Sequence, residues 1–253
     1  MHHPVDAHDL EPALERAAAL LRPAGRVAVL TGAGVSAESG LSTFRGAGGL
    51  WEGHRVEDVA TPMAFERDPA LVWRFYNLRR ANLRAVRPNP GHEALVALEK
   101  RWGERFTLIT QNVDGLHRAA GSRNVLELHG NLARVRCTGC AGVEDRGAED
   151  LPELPRCGKC GALLRPAVVW FHEMLPRAVW QAATEAAERC SCFVVAGTSA
   201  VVYPAAGLIE LARGAGAAVI EVNLEPTAAS GVADVCLHGP SGEVLPQLVR
   251  RLG

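Results

Sequence analysis

The chain has 253 residues with 27 basic against 28 acidic side chains, a net charge of −1 and a pI near 6.8. That balance supplies no overall drive toward nucleic acid or an anionic membrane, and no stretch reaches the roughly 20 apolar residues of a membrane-spanning helix. Only Lys100 and Lys159 are lysines, so arginine carries nearly all the basic charge, which beside the abundant alanine reads as coding bias and not as a binding surface.

Residues 10–21 read as an Ala/Leu-rich helix closed by Pro23 and Gly25. Residues 26–31 are a short apolar run of the kind that forms a buried parallel strand. It leads into Gly32, Ala33, Gly34 and Ala37, the G-x-G-x-x-A form of a dinucleotide-binding turn, where glycines let backbone N–H groups approach a pyrophosphate. Alone this is a weak signal, because small residues are common at strand ends. The acidic residue that should hold a ribose about 20 positions later is not convincingly placed. Glu52 is nearest and sits in a glycine-rich loop, so an ordinary dehydrogenase is not supported.

That loop also carries Phe44, Arg45 and Trp51 among glycines, the composition of a mobile segment with a few anchoring side chains. Helices are expected over 62–66 and 69–86, the second broken by Pro88 and Pro90, which makes 46–90 a helical insertion. A helix over 92–102 precedes a second buried strand, 106–110, ending in Gln111, Asn112, Asp114 and His117. Polar residues at a strand's carboxyl end are where open α/β sheets place ligands. A third strand, 125–129, ends on His129. A lone histidine there is ordinarily a satisfied structural residue, and His117, at an apparent helix start, reads the same way.

Cys137 and Cys140, then sixteen residues, then Cys157 and Cys160 form two Cys-x-x-Cys knuckles with the spacing of a four-thiolate zinc site. Four thiolates leave no open position on the ion, so its role is structural. Redox dithiols or disulfides are the competing readings and fit the spacing less well. Cys190, Cys192 and Cys236 lie in or beside apolar runs and read as small buried hydrophobes.

Beyond the zinc lobe comes an extended apolar segment, 167–171, and a helix near 176–188. Then follow a strand from 193 running into Gly197, Thr198 and Ser199, a helix over 203–213, a run over 217–225 and a strand over 233–237. A helix over 243–252 closes the chain. The alternation predicts an α/β fold: a doubly wound, Rossmann-like parallel sheet with a small zinc-binding lobe and a helical insertion. The expected division is a Rossmann-like domain with a dinucleotide-type turn over 1–45, 91–132 and 167–253, the insertion with its glycine-rich loop over 46–90, and the zinc lobe over 133–166.

Together these pieces resemble the sirtuins, the NAD-dependent protein-lysine deacylases. The matching text is the glycine turn through Glu38 and Gly40, then Thr43-Phe44-Arg45, Thr110 through Asp114, Leu128-His129-Gly130, the four cysteines, Gly197-Thr198-Ser199 and Val222 through Glu225. The seven matches fall in the family's order, and only the first 25 residues or so lie outside them. The resemblance implies NAD as co-substrate and a structural zinc ion. It also implies attack by the substrate's acyl oxygen on the nicotinamide ribose, with His129 as the general base for a ribose hydroxyl. Histidine suits this because its ordinary pKa of about 6.5 lies near working pH. By the same resemblance Gly32, Ala33 and Gly34 cradle phosphates, with Glu38, Thr43, Phe44, Arg45 and Trp51 on the cofactor side. Gln111, Asn112 and Asp114 position the ribose and nicotinamide, while Gly197, Thr198, Ser199, Asn223, Leu224, Glu225 and Ser241 serve the adenosine half. Val168, Val169, Trp170 and Phe171 match the segment that pairs with the substrate backbone.

Tyr76 and Arg79 are three apart and would share a helix face. Spacing alone would make them ordinary packing and a solvated charge. They resemble, however, the Tyr-x-x-Arg pair of the sirtuin branch that removes succinyl, malonyl and glutaryl groups, and Ala60 matches that branch's small pocket residue. A guanidinium fork and a phenol suit a carboxylate. Two departures stand out: His172 where the family usually has glycine, and Ser42 where proline is common.

The expected activity is therefore removal of succinyl or malonyl, and also acetyl, groups from protein lysines. A mono-ADP-ribosyltransferase or an NAD-binding sensor without turnover are the alternatives. Acyl-lysine proteins or peptides are the expected partners, with no nucleic acid and no membrane. Four knuckle cysteines and no apolar leader at Met1 point to a cytoplasmic protein. The oligomeric state is left open, a monomer being allowed.

Overall fold

The computed structural model describes residues 7–42, 50–51 and 53–253. Its elements, in chain order, are α1 (Ala7–Leu21), β1 (Val27–Thr31), α2 (Gly34–Ala37), β2 (Leu50–Trp51), β3 (His54–Arg55), α3 (Val56–Val59), α4 (Pro62–Arg67), α5 (Pro69–Asn82) and α6 (Pro90–Trp102). Next come β4 (Phe106–Thr110), α7 (Leu116–Ala120), β5 (Val125–Glu127), β6 (Gly130–Cys137), β7 (Val143–Asp145) and β8 (Leu164–Val168). The chain ends with α8 (Arg177–Arg189), β9 (Cys192–Ala196), α9 (Gly207–Gly214), β10 (Ala218–Asn223), β11 (Val235–His238) and α10 (Ser241–Arg250).

Six strands form one parallel sheet in the order β11-β10-β9-β1-β4-β5. The chain winds outward from β1 through β4 to β5, returns beside β1 at β9, and winds the other way. The order therefore reverses between β1 and β9, and in an open α/β sheet a ligand crevice lies at the carboxyl ends of such a pair. Both faces of the sheet are covered, which is why its strands are continuous apolar runs and not alternating ones. Val27, Val29, Val194 and Ile220 pack against α1, α6 and α10, whereas Ala28, Leu30, Phe193 and Val219 pack against α8 and α9.

The extended apolar segment over 167–171 overlaps the end of β8, which stops at Val168 and pairs antiparallel with β6 in a separate three-stranded sheet, β7-β6-β8. Gly130 sits at φ +80°, and a methyl group there would lie 2.1 Å from the Ala167 carbonyl oxygen, so only glycine lets the two strands meet. This sheet and α3–α5 share a third core in which Val59, Phe65, Trp73 and Tyr76 pack with Leu132, Val135, Leu164 and Trp170. The helical insertion and the zinc lobe are thus built around common apolar surface.

Local chemistry starts the helices of this lobe and of α6. Thr61 before Pro62 accepts a hydrogen bond from Ala64 N (3.1 Å), Asp68 before Pro69 accepts one from Leu71 N (2.9 Å), and Asn89 before Pro90 forms a capping box with His92. In each, a polar cap satisfies an orphan N–H and proline fills the first turn, where its missing donor costs nothing.

Candidate active site and metal centre

The βα turns that follow β1 and β9 touch through glycines. Gly34 N donates to Gly197 O (2.7 Å), and a methyl group on Gly197 would stand 2.4 Å from Val35 N. Gly197 also has φ +59°, a conformation that L side chains rarely adopt. Asn223, at the end of β10, ties in the next turn by donating to Thr198 O (2.8 Å).

On the other side of β1, Gln111 donates to Thr198 Oγ1 (3.0 Å), which joins the β4 and β9 ends. Asn112 Nδ2 donates to Gly32 O and to Ser36 Oγ, each at 3.1 Å. Ser36 Oγ in turn donates to Asp114 Oδ2 (2.8 Å), while Asp114 Oδ1 accepts from Leu116 N (2.8 Å). Burial pushes the Asp114 carboxyl up, against the opposing effects of those two hydrogen bonds and the Arg79 charge. His129 follows β5, and its Nδ1 lies 3.0 Å from Gln111 O. A carbonyl only accepts, so Nδ1 carries the ring proton and Nε2 is left as an acceptor. Burial lowers the His129 pKa from its ordinary value, with the Gln111 contact opposing the shift.

Beneath these groups lie two buried histidines. His117 Nε2 is 2.9 Å from Thr31 Oγ1, His92 Nε2 is 3.4 Å from Ser36 Oγ, and the two rings are 4.9 Å apart. His117 is thus buried, with Nε2 partnered and Nδ1 without a hydrogen bond. Ser36, Thr31 and His92 were not singled out from sequence. The available signal was the position of Ser36 inside the glycine turn and of His92 at the third helical position after Asn89.

Glu38 is not directed at the turn that precedes it: its carboxylate accepts from Gly242 N (2.6 Å) at the start of α10, beside buried Ser241. Leu224 and Glu225 are exposed beyond β10, and Ser199 is half-buried. Thr43, Phe44 and Arg45 lie outside the described residues, while Trp51 falls in β2 opposite His54.

Tyr76, Ala60 and Trp170 are all buried, and Trp170 Nε1 donates to the Tyr76 hydroxyl (2.9 Å). Burial pushes the Tyr76 pKa up to about 12, so the phenol stays protonated. The Arg79 guanidinium carbon lies 5.9 Å from the Tyr76 ring centre and 5.7 Å from that of Phe75. Val169 N donates to His129 O (2.9 Å) and Phe171 N to Ala60 O (3.0 Å), so the segment after β8 runs between the histidine and the lobe. Val168 is buried at the end of β8.

The thiols of Cys137, Cys140, Cys157 and Cys160 converge within 4.8 Å of one another, with Cys137 and Cys160 sulfurs 3.4 Å apart and Cys140 and Cys157 sulfurs 3.8 Å apart. Zinc–sulfur bonds of about 2.3 Å in a tetrahedron put sulfurs about 3.8 Å apart, whereas a disulfide needs about 2.05 Å. All four are free cysteines, and Gly139 N and Cys140 N donate to the Cys137 sulfur, as suits a thiolate. The donor set fits a structural zinc ion.

The Sir2 family profile matches residues 32–204. A curated protein named NAD-dependent protein deacylase 2, from Pyrobaculum aerophilum, is 53% identical over 235 residues, covering 92% of this chain and 93% of its own. The chain belongs to the Sir2 family. An NAD-dependent protein deacylase from Thermococcus kodakarensis is 51% identical over 246 residues, covering 94% of this sirtuin and 95% of its own length. Among solved structures, an NAD complex of a Sir2 homologue aligns with TM-score 0.87 and 47% identity, over 99% of this chain and 96% of that one. A Sir2 protein bound to a myristoylated histone peptide aligns with TM-score 0.76 and 38% identity, over 96% and 97%.

Proposed function

We propose that this sirtuin is an NAD-dependent deacylase of protein lysines that favours acidic acyl groups such as succinyl and malonyl and also removes acetyl. The observation that carries the reading is the 3.0 Å contact of His129 Nδ1 with Gln111 O: a carbonyl only accepts, which assigns the proton to Nδ1 and leaves Nε2 to act as a base. The amides and hydroxyls at the carboxyl ends of β1, β4, β9 and β10 are a donor set suited to the hydroxyls and phosphates of NAD. When bound, NAD supplies a ribose carbon carrying nicotinamide as leaving group, with the substrate's acyl oxygen as nucleophile.

In this reading His129 Nε2 takes the proton of a ribose hydroxyl. Asn112 and Asp114, held by Ser36, orient the nicotinamide side. Gly32, Ala33, Gly34, Gln111, Gly197, Thr198, Ser199, Asn223, Leu224, Glu225 and Ser241 line the remainder of the cofactor path, with Thr43, Phe44, Arg45 and Trp51 also assigned to the cofactor. Glu38 contributes indirectly, by fixing α10 beside Ser241. Val168, Val169, Trp170 and Phe171 pair with the substrate backbone. Cys137, Cys140, Cys157 and Cys160 hold zinc, which stabilises the lobe and takes no part in the chemistry. The division into a Rossmann-like domain, a helical insertion and a zinc lobe follows the same lines, with the last two sharing a core.

Selectivity rests on Tyr76 and Arg79. The phenol offers a proton and the guanidinium a charge at the far end of the acyl chain, where Ala60 keeps space. A charge-assisted contact contributes about 1.5–3 kcal/mol, or roughly ten- to hundredfold in selectivity. The test is nicotinamide release from NAD with one lysine peptide, acetylated or succinylated, for the natural protein and Arg79→Met. A succinyl preference that collapses in Arg79→Met supports the reading, and an acetyl preference unchanged by the substitution overturns the acyl assignment. ADP-ribose left on protein, without acyl transfer, would instead mark a transferase.

A further inference from the structure

Trp170, Arg165 and Glu173 form a closed set behind Tyr76. Trp170 Nε1 donates to the Tyr76 hydroxyl at 2.9 Å, with both side chains almost fully buried. The Arg165 guanidinium carbon stacks 3.5 Å from the Trp170 ring centre. Arg165 is held in turn by both oxygens of Glu173 (2.6 and 2.8 Å) and by Val168 O (3.0 Å). Glu173 also accepts from the Trp170 backbone N–H (2.8 Å). This return is possible because residues 170–173 make a tight turn, closed by Glu173 N to Trp170 O (3.1 Å), with His172 at φ +70°.

A phenol hydroxyl lies near the plane of its ring and has two favoured proton directions. An indole N–H can only donate, so it occupies a lone pair on the Tyr76 oxygen and excludes the phenol proton from that side. The proton is turned away from Trp170, and accepting one hydrogen bond makes the hydroxyl a stronger donor of the next. The cation over the indole ring fixes the plane of Trp170 and adds an electrostatic attraction of its own.

We propose that Trp170, clamped by Arg165 and Glu173, is a specificity-determining positioning residue that orients the Tyr76 hydroxyl proton toward a carboxylate at the end of the substrate's acyl group. The proposal rests on the acidic-acyl reading above and adds to it a role for three residues that do not themselves reach that carboxylate. Trp170 acts through Tyr76, and Arg165 and Glu173 act through Trp170.

The test is a double-substitution cycle with Trp170→Phe, which keeps an aromatic ring and removes the donor, and Tyr76→Phe, which removes the acceptor. For each variant, kcat and KM are measured for succinylated and acetylated forms of one peptide at saturating NAD. Trp170→Phe is expected to lower the succinyl-to-acetyl ratio of kcat/KM by roughly three- to tenfold, the range of one net hydrogen bond. The loss should appear mainly in the succinyl KM, and it should vanish in the Tyr76→Phe background. A Trp170→Phe effect of equal size in both backgrounds overturns the proposal, as does no change in the ratio. If Trp170→Phe does not fold, Glu173→Gln, which weakens the clamp and leaves the indole, must shift the ratio in the same direction; an unchanged ratio there overturns the proposal. Arg79→Met separates the two levels. A natural protein whose succinyl preference disappears in Arg79→Met but survives Trp170→Phe keeps the acyl reading and loses this one. A natural protein without any succinyl preference loses both.

Discussion

His129 Nδ1 and the carbonyl oxygen of Gln111 are 3.0 Å apart, so one backbone oxygen decides which nitrogen of the ring is basic. Burial also holds the imidazole below its ordinary pKa. A base is lost when it is protonated, and a lowered pKa moves that loss to more acidic solution. The acid limb of the kcat/KM profile should therefore have its inflection below the ordinary histidine value of about 6.5. His129→Ala should reduce turnover by roughly 10²–10⁴-fold, the usual contribution of a positioned base. A profile with its inflection well above neutrality would point to a different group.

The zinc centre should behave as a fold element. Cys137 and Cys157 are buried in the core that also contains Tyr76 and Trp170, and metal binding in such a lobe is folding free energy. Cys137→Ala should lose stoichiometric zinc and drop in solubility. A soluble, fully folded, metal-free variant, judged by elemental analysis and a thermal melt, would contradict this.

Acid stability should follow the buried histidine pair. Burial pushes His92 down to about 4, and burial with the neighbouring His92 pushes His117 down to about 3. In the unfolded chain both titrate near 6.5. Between those values the unfolded state binds more protons than the folded one, so stability rises with pH in this window and is lost on acidification from about 6.5 toward 3–4. The melting temperature should fall by on the order of 10 °C between pH 7 and pH 5, given about 1.36 kcal/mol per group per pH unit and a few degrees per kcal/mol for a domain of this size. His117→Gln should flatten that slope. An unaltered slope would assign the acid sensitivity to other groups.

His172 sits at φ +70° in a turn where glycine is the least strained residue. His172→Gly should relieve that strain at the expense of a more flexible unfolded chain, for a net gain of about 0.5–1 kcal/mol. A denaturant melt reads it directly, and a loss of stability would mean that the imidazole makes compensating contacts.

The parallel sheet was legible because burial on both faces removes any need for polar alternation. The runs at Val27, Phe106, Cys192 and Ala218 announce themselves by apolar content alone. The four knuckle cysteines were equally plain, since spacing is the signal. By contrast β6, with Arg134 and Arg136, has an exposed face, and its register with β8 shifts between Gly130 and Val135, so its pattern resembles a loop. The end of α5 at Asn82, and not at residue 86, reflects tight turns from Arg84 N to Ala81 O and from Ala85 N to Asn82 O that no breaker residue marks. The contacts of Ser36 and the Glu38 contact to Gly242 join distant parts of the chain, one over 78 positions to Asp114 and the other over 204. Local sequence carries no trace of partners that distant.

The glycine contact between the β1 and β9 turns has a mechanical consequence. With backbone packed on backbone at Gly34 and Gly197 and no side chain in between to change rotamer, the two turns form a floor with no soft degree of freedom. The lobe of α3–α5 and β6–β8 is held by contrast through a side-chain core, so under the proposed reading it is the part that would adjust to acyl groups of different length. On that reading the rigid surface would lie under the cofactor, common to every turnover, and the adaptable one under the variable substrate.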